Sequence, residues 1–392
     1  MAPFSLRALA PYLLLFAALY AGFGVQSPYL PAFLAEHGLA PELIGIVLAG
    51  ATAIKLVTGP AAGRLADRLG AARMVFAGCA IVAALSALGY LPAYGFWVLF
   101  AIALLQAAAL GPLAPLADSL VLPAAAPPRN STRRGERRGF DYGWVRGTGS
   151  GAFILGSILS GQLVGTVGLA AAIWLNAGLL AAAALWAPRV RALPPRSDSN
   201  ADPAPSARHI GELLRLPAFR RVVVVAALIL GSHALHDGFA MIRWQAAGVV
   251  PGTAGLLWAE SVAAEVVVFF AIGRSLLDRL GANGAAMLAA VAGIVRWCVS
   301  AQTAALPALA LIQPLHGLTF ALLHLACMRR LAEAVPPGLS ATALTLYGTV
   351  AIGAASALLT LASGELYGAI GPQGFWIMAA LCAIALPFAR RL

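Results

Sequence analysis

The chain has 392 residues, of which 61% are hydrophobic and only 10% are charged, and it carries a formal net charge of +11 at pH 7. The apolar runs are too long and too many for the core of a soluble protein, so the composition indicates an integral membrane protein. The positive charge would suit nucleic acid, but the basic residues gather in loops between apolar runs, so no nucleic-acid partner is predicted. The four cysteines all fall inside apolar runs, which argues against a disulfide framework.

Apolar runs long enough to cross a bilayer occur twelve times, in two sets of six. The first set covers residues 8–33, 42–62, 74–92, 96–122, 143–165 and 169–187. The second set covers residues 219–245, 253–273, 284–302, 305–328, 340–366 and 373–389. Residues 188–217, rich in proline, serine and charge, separate the sets and predict a flexible or partly helical linker. We therefore predict an all-α membrane protein with twelve transmembrane helices in two six-helix bundles, at 1–190 and 219–392, joined by a linker at 191–218.

The charges of the loops predict how the chain crosses the membrane. Of the 26 basic residues, 22 lie in or beside the loops on one side, and the alternate loops at 34–41, 93–95, 246–252 and 367–372 have none. Because cytoplasmic loops collect lysine and arginine, both termini are predicted to be cytoplasmic, in a multi-pass protein of the bacterial inner membrane. The first apolar run shows no small-residue cleavage site, so no cleavable signal peptide is expected.

Two short stretches recur in the second half of the chain. Asp67-Arg68-Leu69-Gly70-Ala71 returns as Asp278-Arg279-Leu280-Gly281-Ala282, and SGQLVGTVG at 160–168 matches SGELYGAIG at 363–371. Two matches at similar offsets indicate duplication and parallel repeats, as in transporters built from two six-helix halves.

The loop GRLADRLG at 63–70, with Arg73 close behind it, resembles the signature loop of the major facilitator superfamily. The resemblance implies the major facilitator fold and a cytoplasmic latch, in which Asp67 pairs with basic groups or a helix N-terminus of the neighbouring bundle in one conformation and releases them in another. A short basic loop that only fixes topology is the alternative. The predicted latch residues are Gly63, Asp67, Arg68, Gly70, Arg73, Asp278 and Arg279.

A closer resemblance covers most of the chain. The stretches DYGWVRGTGSGAFILGSILSG at 141–161, GFAMIRWQAAG at 238–248 and GIVRWCVS at 293–300 are similar to the 3-phenylpropionic acid transporter family, a relative of the proton symporter lactose permease. The resemblance implies uptake of an aromatic monocarboxylate together with a proton.

The helix predicted at 143–165 carries a charged residue inside the membrane. Burying a guanidinium in hydrocarbon costs roughly 2.5 to 3.5 kcal/mol on insertion scales, so Arg146 is expected to face the bundle interior or a wet cavity. Arg146, Ser150 and Phe153 share one helix face by their spacing. Asp118, in the preceding span, is a candidate ion partner of Arg146. The resemblance to lactose permease gives this pair a substrate-binding role; a purely structural ion pair is the alternative.

In the second half, Arg296 and His316 match an arginine and a histidine of the permease's proton-translocation group. Its glutamate and lysine are replaced here by Thr319 and Gln313, so the proton site must differ in detail. Glu265 is the first candidate to carry the proton, because a lone buried carboxylate can exchange protons near neutral pH.

Other ionisable residues could also take part in moving the proton. Asp118 is the second candidate, while Glu260 is weaker, because it is turned away from Glu265 on the helix. His316 and His324, eight residues apart, are predicted to lie on nearly the same face, where they could relay protons or only bond to a neighbouring helix.

Residues 232–245 hold a further set of polar residues. The i, i+3 and i+4 spacing of His233, His236 and Asp237 could suit a metal, but three residues on one helix make a weak site, so no metal is predicted. A polar network is favoured, with Asp237 paired to Lys55 or to Arg243. Aromatic residues that could form a wall for a substrate ring are Tyr20, Phe23, Phe153, Phe239 and Trp297.

Three classes of function remain after these observations. A secondary transporter that works by alternating access, monomeric and without a cofactor, is the leading prediction. A sugar or nucleoside porter, or a proton-linked effluxer, is the transport alternative; the span at 143–165 has no proline, which disfavours export. A membrane enzyme or a sensor is the third class. No nucleotide-binding glycine loop or nucleophile motif supports an enzyme, and the linker is too short for a signalling domain.

Overall fold

A computed structural model describes residues 6–125, 140–190 and 207–392, and this part of the chain is almost entirely helical, with no strand. The basic loop at 126–139, and residues 191–206 of the predicted linker, lie outside the described residues. The α-helices are α1 Leu6–Glu36, α2 Pro41–Leu69, α3 Ala72–Gly89, α4 Phe96–Leu110, α5 Leu113–Ala125, α6 Tyr142–Val167, α7 Ala170–Trp186, α8 Ala207–Arg215, α9 Pro217–Gly231, α10 Ala234–Ala246, α11 Pro251–Val267, α12 Gly273–Gln302, α13 Leu306–Ile312, α14 Leu323–Ala334, α15 Ser340–Leu346, α16 Ala355–Ile370 and α17 Phe375–Ala389.

Three short π-helical segments interrupt the second half of the described chain, at Val268–Ile272, Gly317–Leu322 and Tyr347–Ala354. Such segments widen a helix by one residue and occur often at functional sites. Each is followed directly by an α-helix, α12, α14 or α16, so the segments change the direction of side chains without ending the helix.

Ten helical segments of the described chain are long and apolar enough to cross a membrane. Two of them are much longer than one crossing requires: Pro251–Gln302 with 52 residues and Ser340–Ala389 with 50 residues. Both contain a break at a glycine with positive φ, Gly281 at 68° and Gly371 at 58°, a conformation that glycine adopts without strain. In a bilayer the backbone must satisfy its own hydrogen bonds, and helices are how this apolar sequence does so.

Contacts between Cα atoms divide the chain into two compact units. The first unit takes Met1–Phe33 and Ile54–Asp198, and the second takes Leu34–Ala53 and Ser199–Leu392. The first half of α2 thus groups with the second unit, because α2 packs closely against α16. The two helices cross at Gly45 and Gly364, where a Cβ on Gly45 would lie 2.7 Å from the Gly364 Cα atom. The bundle boundaries expected from the sequence stay a prediction.

Buried amides and glycines hold α1 in place in the first unit. Asn176 on α7 donates to the carbonyl oxygen of Gly22 at 2.9 Å, and Gln106 on α4 donates to the Asn176 side-chain oxygen at 3.2 Å. Further along α1, Ser157 on α6 donates to the carbonyl oxygen of Gly24 at 3.0 Å. A Cβ on Gly156 would lie 2.5 Å from the Ala21 carbonyl oxygen, so α1 and α6 meet backbone to backbone.

We expect Gly156→Leu to destabilise the first unit, because the added side chain must push α6 away from α1; overpacking of this kind costs about 1 to 3 kcal/mol. The measurement is the apparent melting temperature of the detergent-purified protein. Gly151→Leu is the matched control on the same helix, since Gly151 is exposed and a Cβ there meets nothing within 4 Å. Equal melting temperatures for the two variants would contradict this account of the contact.

A buried arginine caps the C-terminal end of one helix in the second unit. Arg243 on α10 donates to the carbonyl oxygen of Thr303 at 2.8 Å and also to the carbonyl oxygen of Ser300, at the C-terminal end of α12. The expected pairing of Arg243 with Asp237 is therefore wrong: the last carbonyls of α12 have no partner within their own helix and attract the guanidinium.

Candidate substrate-binding and proton-coupling sites

Two clusters of polar side chains lie between packed helices, one within each unit. The first-unit cluster consists of Tyr20 on α1, Asp118 on α5, and Tyr142 and Arg146 on α6. Asp141 caps α6 by accepting from the Gly143 backbone N–H at 2.8 Å, which fixes where the helix begins.

In the first-unit cluster each charged group contacts a tyrosine. The Arg146 guanidinium donates to the Tyr20 hydroxyl and lies 4.9 Å from the centre of the Tyr20 ring. The Tyr142 hydroxyl donates to Asp118 Oδ1 at 2.7 Å. Instead of the expected direct ion pair between Asp118 and Arg146, each of the two residues forms a hydrogen bond with a tyrosine hydroxyl.

Aromatic rings surround the arginine of this cluster. Tyr20 stacks on Phe16 with 5.6 Å between ring centres and meets Phe23 edge-on at 5.5 Å. Tyr20 and Phe23 are only partly buried. Ser150 and Phe153 follow Arg146 on α6 and are half-buried. A guanidinium beside partly exposed aromatic rings can hold a carboxylate that carries an aromatic group.

The second-unit cluster is a chain of hydrogen-bonding groups centred on Arg296 of α12. Arg296 is 1% exposed. Its Nη1 donates to His316 Nδ1 at 3.0 Å, and its Nη2 donates to Gln313 Oε1 at 3.1 Å. From His316 the chain continues to Glu265, with 3.6 Å between Nε2 and Oε2. From Gln313 it continues through His236, at 3.5 Å, to Asp237 Oδ1, at 3.4 Å from His236 Nδ1.

The hydrogen bonds of the second-unit cluster have a fixed direction, because arginine can only donate. His316 Nδ1 must accept from Arg296, so a neutral His316 carries its proton on Nε2 and directs it at the Glu265 carboxylate. By the same reasoning, Gln313 donates to His236 Nε2, and His236 Nδ1 donates to Asp237. A guanidinium thus lies at the centre of the chain, with a carboxylate at each end.

The two carboxylates differ in their exposure to solvent. The side chain of Glu265 is 25% exposed and that of Asp237 is 61% exposed. Glu260, the weaker candidate, is half-buried one turn and a half before Glu265 on α11. Glu265 therefore combines partial access to solvent with a titratable neighbour, His316, as a group that takes up and releases a proton requires.

One expectation for the second half is corrected by the structure. Trp297 is fully buried and donates to the Ser232 hydroxyl at 2.8 Å, so it packs in the core and offers no wall to a substrate in this state. His316 and His324 make different hydrogen bonds, and their expected place on nearly one helix face stays a prediction. His324 Nδ1 lies 3.2 Å from the Tyr347 hydroxyl.

His233, His236 and Asp237 do not bond as one group. His233 Nε2 lies 3.0 Å from the Thr319 hydroxyl, whereas His236 joins the chain described above. Within the described residues, no three His, Cys, Asp or Glu side chains come together in a way that could hold a metal ion. Lys55 lies on α2 where that helix meets Gly111.

The residues of the predicted latch lie at helix ends. Gly70 ends α2 with φ of 58°, Asp67 and Arg68 are exposed, and Arg73 donates to the Val190 carbonyl oxygen at 3.1 Å. In the second half, Asp278 pairs with Arg329 at 2.7 Å. Gly63 is half-buried on α2, and Arg279 is exposed. The latch function itself stays a prediction.

Sequence reasoning missed Tyr142 and the role of Gln313. Tyr142 precedes Arg146 by four residues, so helical spacing places both on one face of α6, and this spacing was the available signal. Nothing in the sequence showed that Gln313 would connect Arg296 to His236, because that contact joins α10, α12 and the end of α13.

Ten long apolar helical segments, with charged side chains held between them, define a polytopic membrane protein in the described part of the chain. The sequence profile described as the MFS_1 like family matches residues 8–378, so the chain belongs to this family of the major facilitator superfamily.

Relatives and solved structures agree with this assignment. The chain is 33% identical over 376 residues to the "Probable 3-phenylpropionic acid transporter" of Escherichia coli (strain K12), covering 93% of this chain and 92% of that protein. It is 25% identical to the maltose permease of Geobacillus stearothermophilus, over 95% of this chain and 90% of the permease. The crystal structure of the nucleoside transporter NupG has a TM-score of 0.80, with 18% identity over 98% of both chains, which shows the shared fold.

Proposed function

We propose that this protein takes up an aromatic monocarboxylate such as 3-phenylpropionate together with a proton, by alternating access. The observation that carries the substrate class is the Arg146–Tyr20 contact beside partly exposed rings, in a chain 33% identical to a relative named for 3-phenylpropionic acid. The proposed topology is twelve transmembrane helices with both termini cytoplasmic. The segments of 52 and 50 residues are each long enough for two crossings, since about 20 residues span the hydrocarbon core.

The first-unit cluster supports recognition of a carboxylate. A guanidinium has five N–H donors in a planar fork, and the Tyr20 hydroxyl accepts from only part of them. Tyr142 holds Asp118 through a hydrogen bond, so this carboxylate does not occupy the fork as an ion partner. An incoming carboxylate can therefore bind Arg146 while its ring packs against Tyr20 and Phe23.

The second-unit cluster supports proton coupling. A proton that binds Glu265 removes the negative charge next to His316 Nε2. A proton that binds His316 on Nδ1 must break the hydrogen bond from Arg296, because two donors then face each other. Either event changes the charge or the hydrogen bonds around Arg296. This residue connects α12 to the residues around the π-helical segment Gly317–Leu322. Protonation can thus bias the equilibrium between conformations.

The test is uptake into proteoliposomes under an imposed pH gradient. We expect labelled 3-phenylpropionate to accumulate above its external concentration when the lumen is alkaline, and to equilibrate only when the gradient is removed. Cinnamate should compete, whereas maltose and uridine should not. Accumulation that does not depend on the gradient would remove the proton from the proposal, and no uptake of any aromatic acid would remove the substrate class.

A sugar or nucleoside porter is the second candidate, because the chain resembles a maltose permease in sequence and a nucleoside transporter in fold. The same liposomes decide between them: accumulation of maltose or uridine, without competition by cinnamate, would favour the second candidate. Gradient-driven export of the aromatic acid would point to an effluxer instead.

A further inference from the structure

A cavity of about 770 Å³ opens at one end of the second unit, and its lining shares no residue with either cluster. It lies between the start of α9 and the end of α17, two helices that belong to membrane-spanning segments. The cavity is therefore at the level where the membrane meets water. Its lining residues are Pro217, Arg220, Arg221, Val224, Pro387, Phe388, Arg390 and Arg391.

The lining combines positive charge with apolar surface. Four of the eight residues are arginines, and none is acidic. Arg221 is oriented by a hydrogen bond from its Nη1 to the Arg391 carbonyl oxygen at 2.7 Å, which connects the two walls of the cavity. The N-terminus of α9 adds backbone N–H groups that favour an anion.

The apolar part of the lining continues along α17 toward the membrane interior. Phe388 is 39% exposed, and Ile384, one turn earlier on the same face, is 54% exposed. An acyl chain could follow this exposed stripe while a charged head group stays among the arginines. A soluble anion would use the arginines but not the stripe.

We propose that this cavity binds the phosphate head group of an anionic phospholipid, whose acyl chains lie along α17. Basic pockets between transmembrane helices are a known way for membrane proteins to hold such lipids. Arginine suits phosphate because its planar fork matches two phosphate oxygens. The proposal rests only on the membrane-spanning nature of the chain, so it is independent of the substrate and of proton coupling.

The test is native mass spectrometry of the detergent-purified protein titrated with phosphatidylglycerol or with phosphatidylcholine. We expect retention of phosphatidylglycerol in preference to phosphatidylcholine, and roughly tenfold or greater weakening in the double variant Arg220→Gln/Arg390→Gln. The matched control is Arg189→Gln/Arg274→Gln, which removes two exposed arginines that do not line the cavity. In a second experiment, inorganic phosphate is added as the competing anion in place of a second lipid.

The variant Val224→Trp separates a built site from general surface charge. It narrows the cavity with a bulky ring but keeps all four arginines, so we expect it also to weaken the retention of phosphatidylglycerol. Unchanged lipid retention in Val224→Trp, or equal losses in the cavity and control double variants, would overturn the proposal. Competition by millimolar inorganic phosphate without any preference for the lipid would assign the cavity to a soluble anion instead, and would overturn it as well.

Discussion

Arg146→Lys is expected to weaken uptake of 3-phenylpropionate about tenfold to hundredfold, because a lysine keeps the charge but cannot form the planar, two-pronged contact with a carboxylate. The change also replaces the guanidinium that donates to the Tyr20 hydroxyl by an ammonium, so the contact that orients the Tyr20 ring is altered. The measurement is the initial rate of uptake against substrate concentration, with binding measured separately by the thermal stabilisation that the substrate gives.

The control for this prediction is Arg189→Lys. Arg189 donates to the Leu185 carbonyl oxygen of its own helix end and lies outside both clusters, so uptake should stay near the level of the unaltered protein. Tyr20→Phe, which keeps the ring and loses the hydroxyl, should have an intermediate effect. If Arg146→Lys folds normally and retains full transport, Arg146 does not recognise the substrate.

Glu265→Gln is expected to abolish accumulation against a gradient while leaving exchange of substrate down its gradient. Glutamine keeps the size of the side chain and its contact with His316, but it cannot gain and lose a proton. A transporter whose proton site is permanently neutral can still change conformation with substrate bound, but the pH gradient no longer drives it. The measurement is the ratio of internal to external 3-phenylpropionate at steady state, together with counterflow exchange.

Two matched variants test whether the effect is specific to Glu265 or follows from the loss of any carboxylate. Glu365→Gln, on the exposed face of α16, should accumulate substrate normally. Glu260→Gln changes the neighbouring carboxylate of α11 and should have a smaller effect than Glu265→Gln. Preserved uphill uptake in Glu265→Gln would move the proton role elsewhere, and Asp118, whose oxygen accepts from Tyr142, would be tested next.

Much of the fold could be predicted from hydrophobicity alone. Most predicted spans coincide with helical segments, because a backbone in hydrocarbon has to satisfy its hydrogen bonds within the helix. The loop GRLADRLG likewise pointed to the superfamily that the profile match confirms. The π-helical segments and the grouping of residues 34–53 with the second unit could not be predicted, because they arise from packing between distant stretches.

The residues that matter for the candidate sites were visible because charge inside a membrane is rare. Arg146, Asp118, Arg296, His316 and Glu265 stood out for that reason, and the structure groups them into two clusters. Their partners were harder to foresee. A direct Asp118–Arg146 pair and an Asp237–Arg243 pair were both expected from opposite charge, but tyrosine hydroxyls and helix-end carbonyls compete well for a buried guanidinium or carboxylate.

The sequence by itself determined that the chain is a membrane protein, where its helices run, and which few side chains are charged inside them, since these properties follow from composition along one dimension. Only the tertiary structure decided that Arg296 joins His316 to Gln313, that Trp297 is buried, and that four arginines surround a cavity between α9 and α17. Each of these facts depends on which helices lie side by side and how they are rotated. That rotation is set by packing of small and large side chains across helices, which no local pattern records.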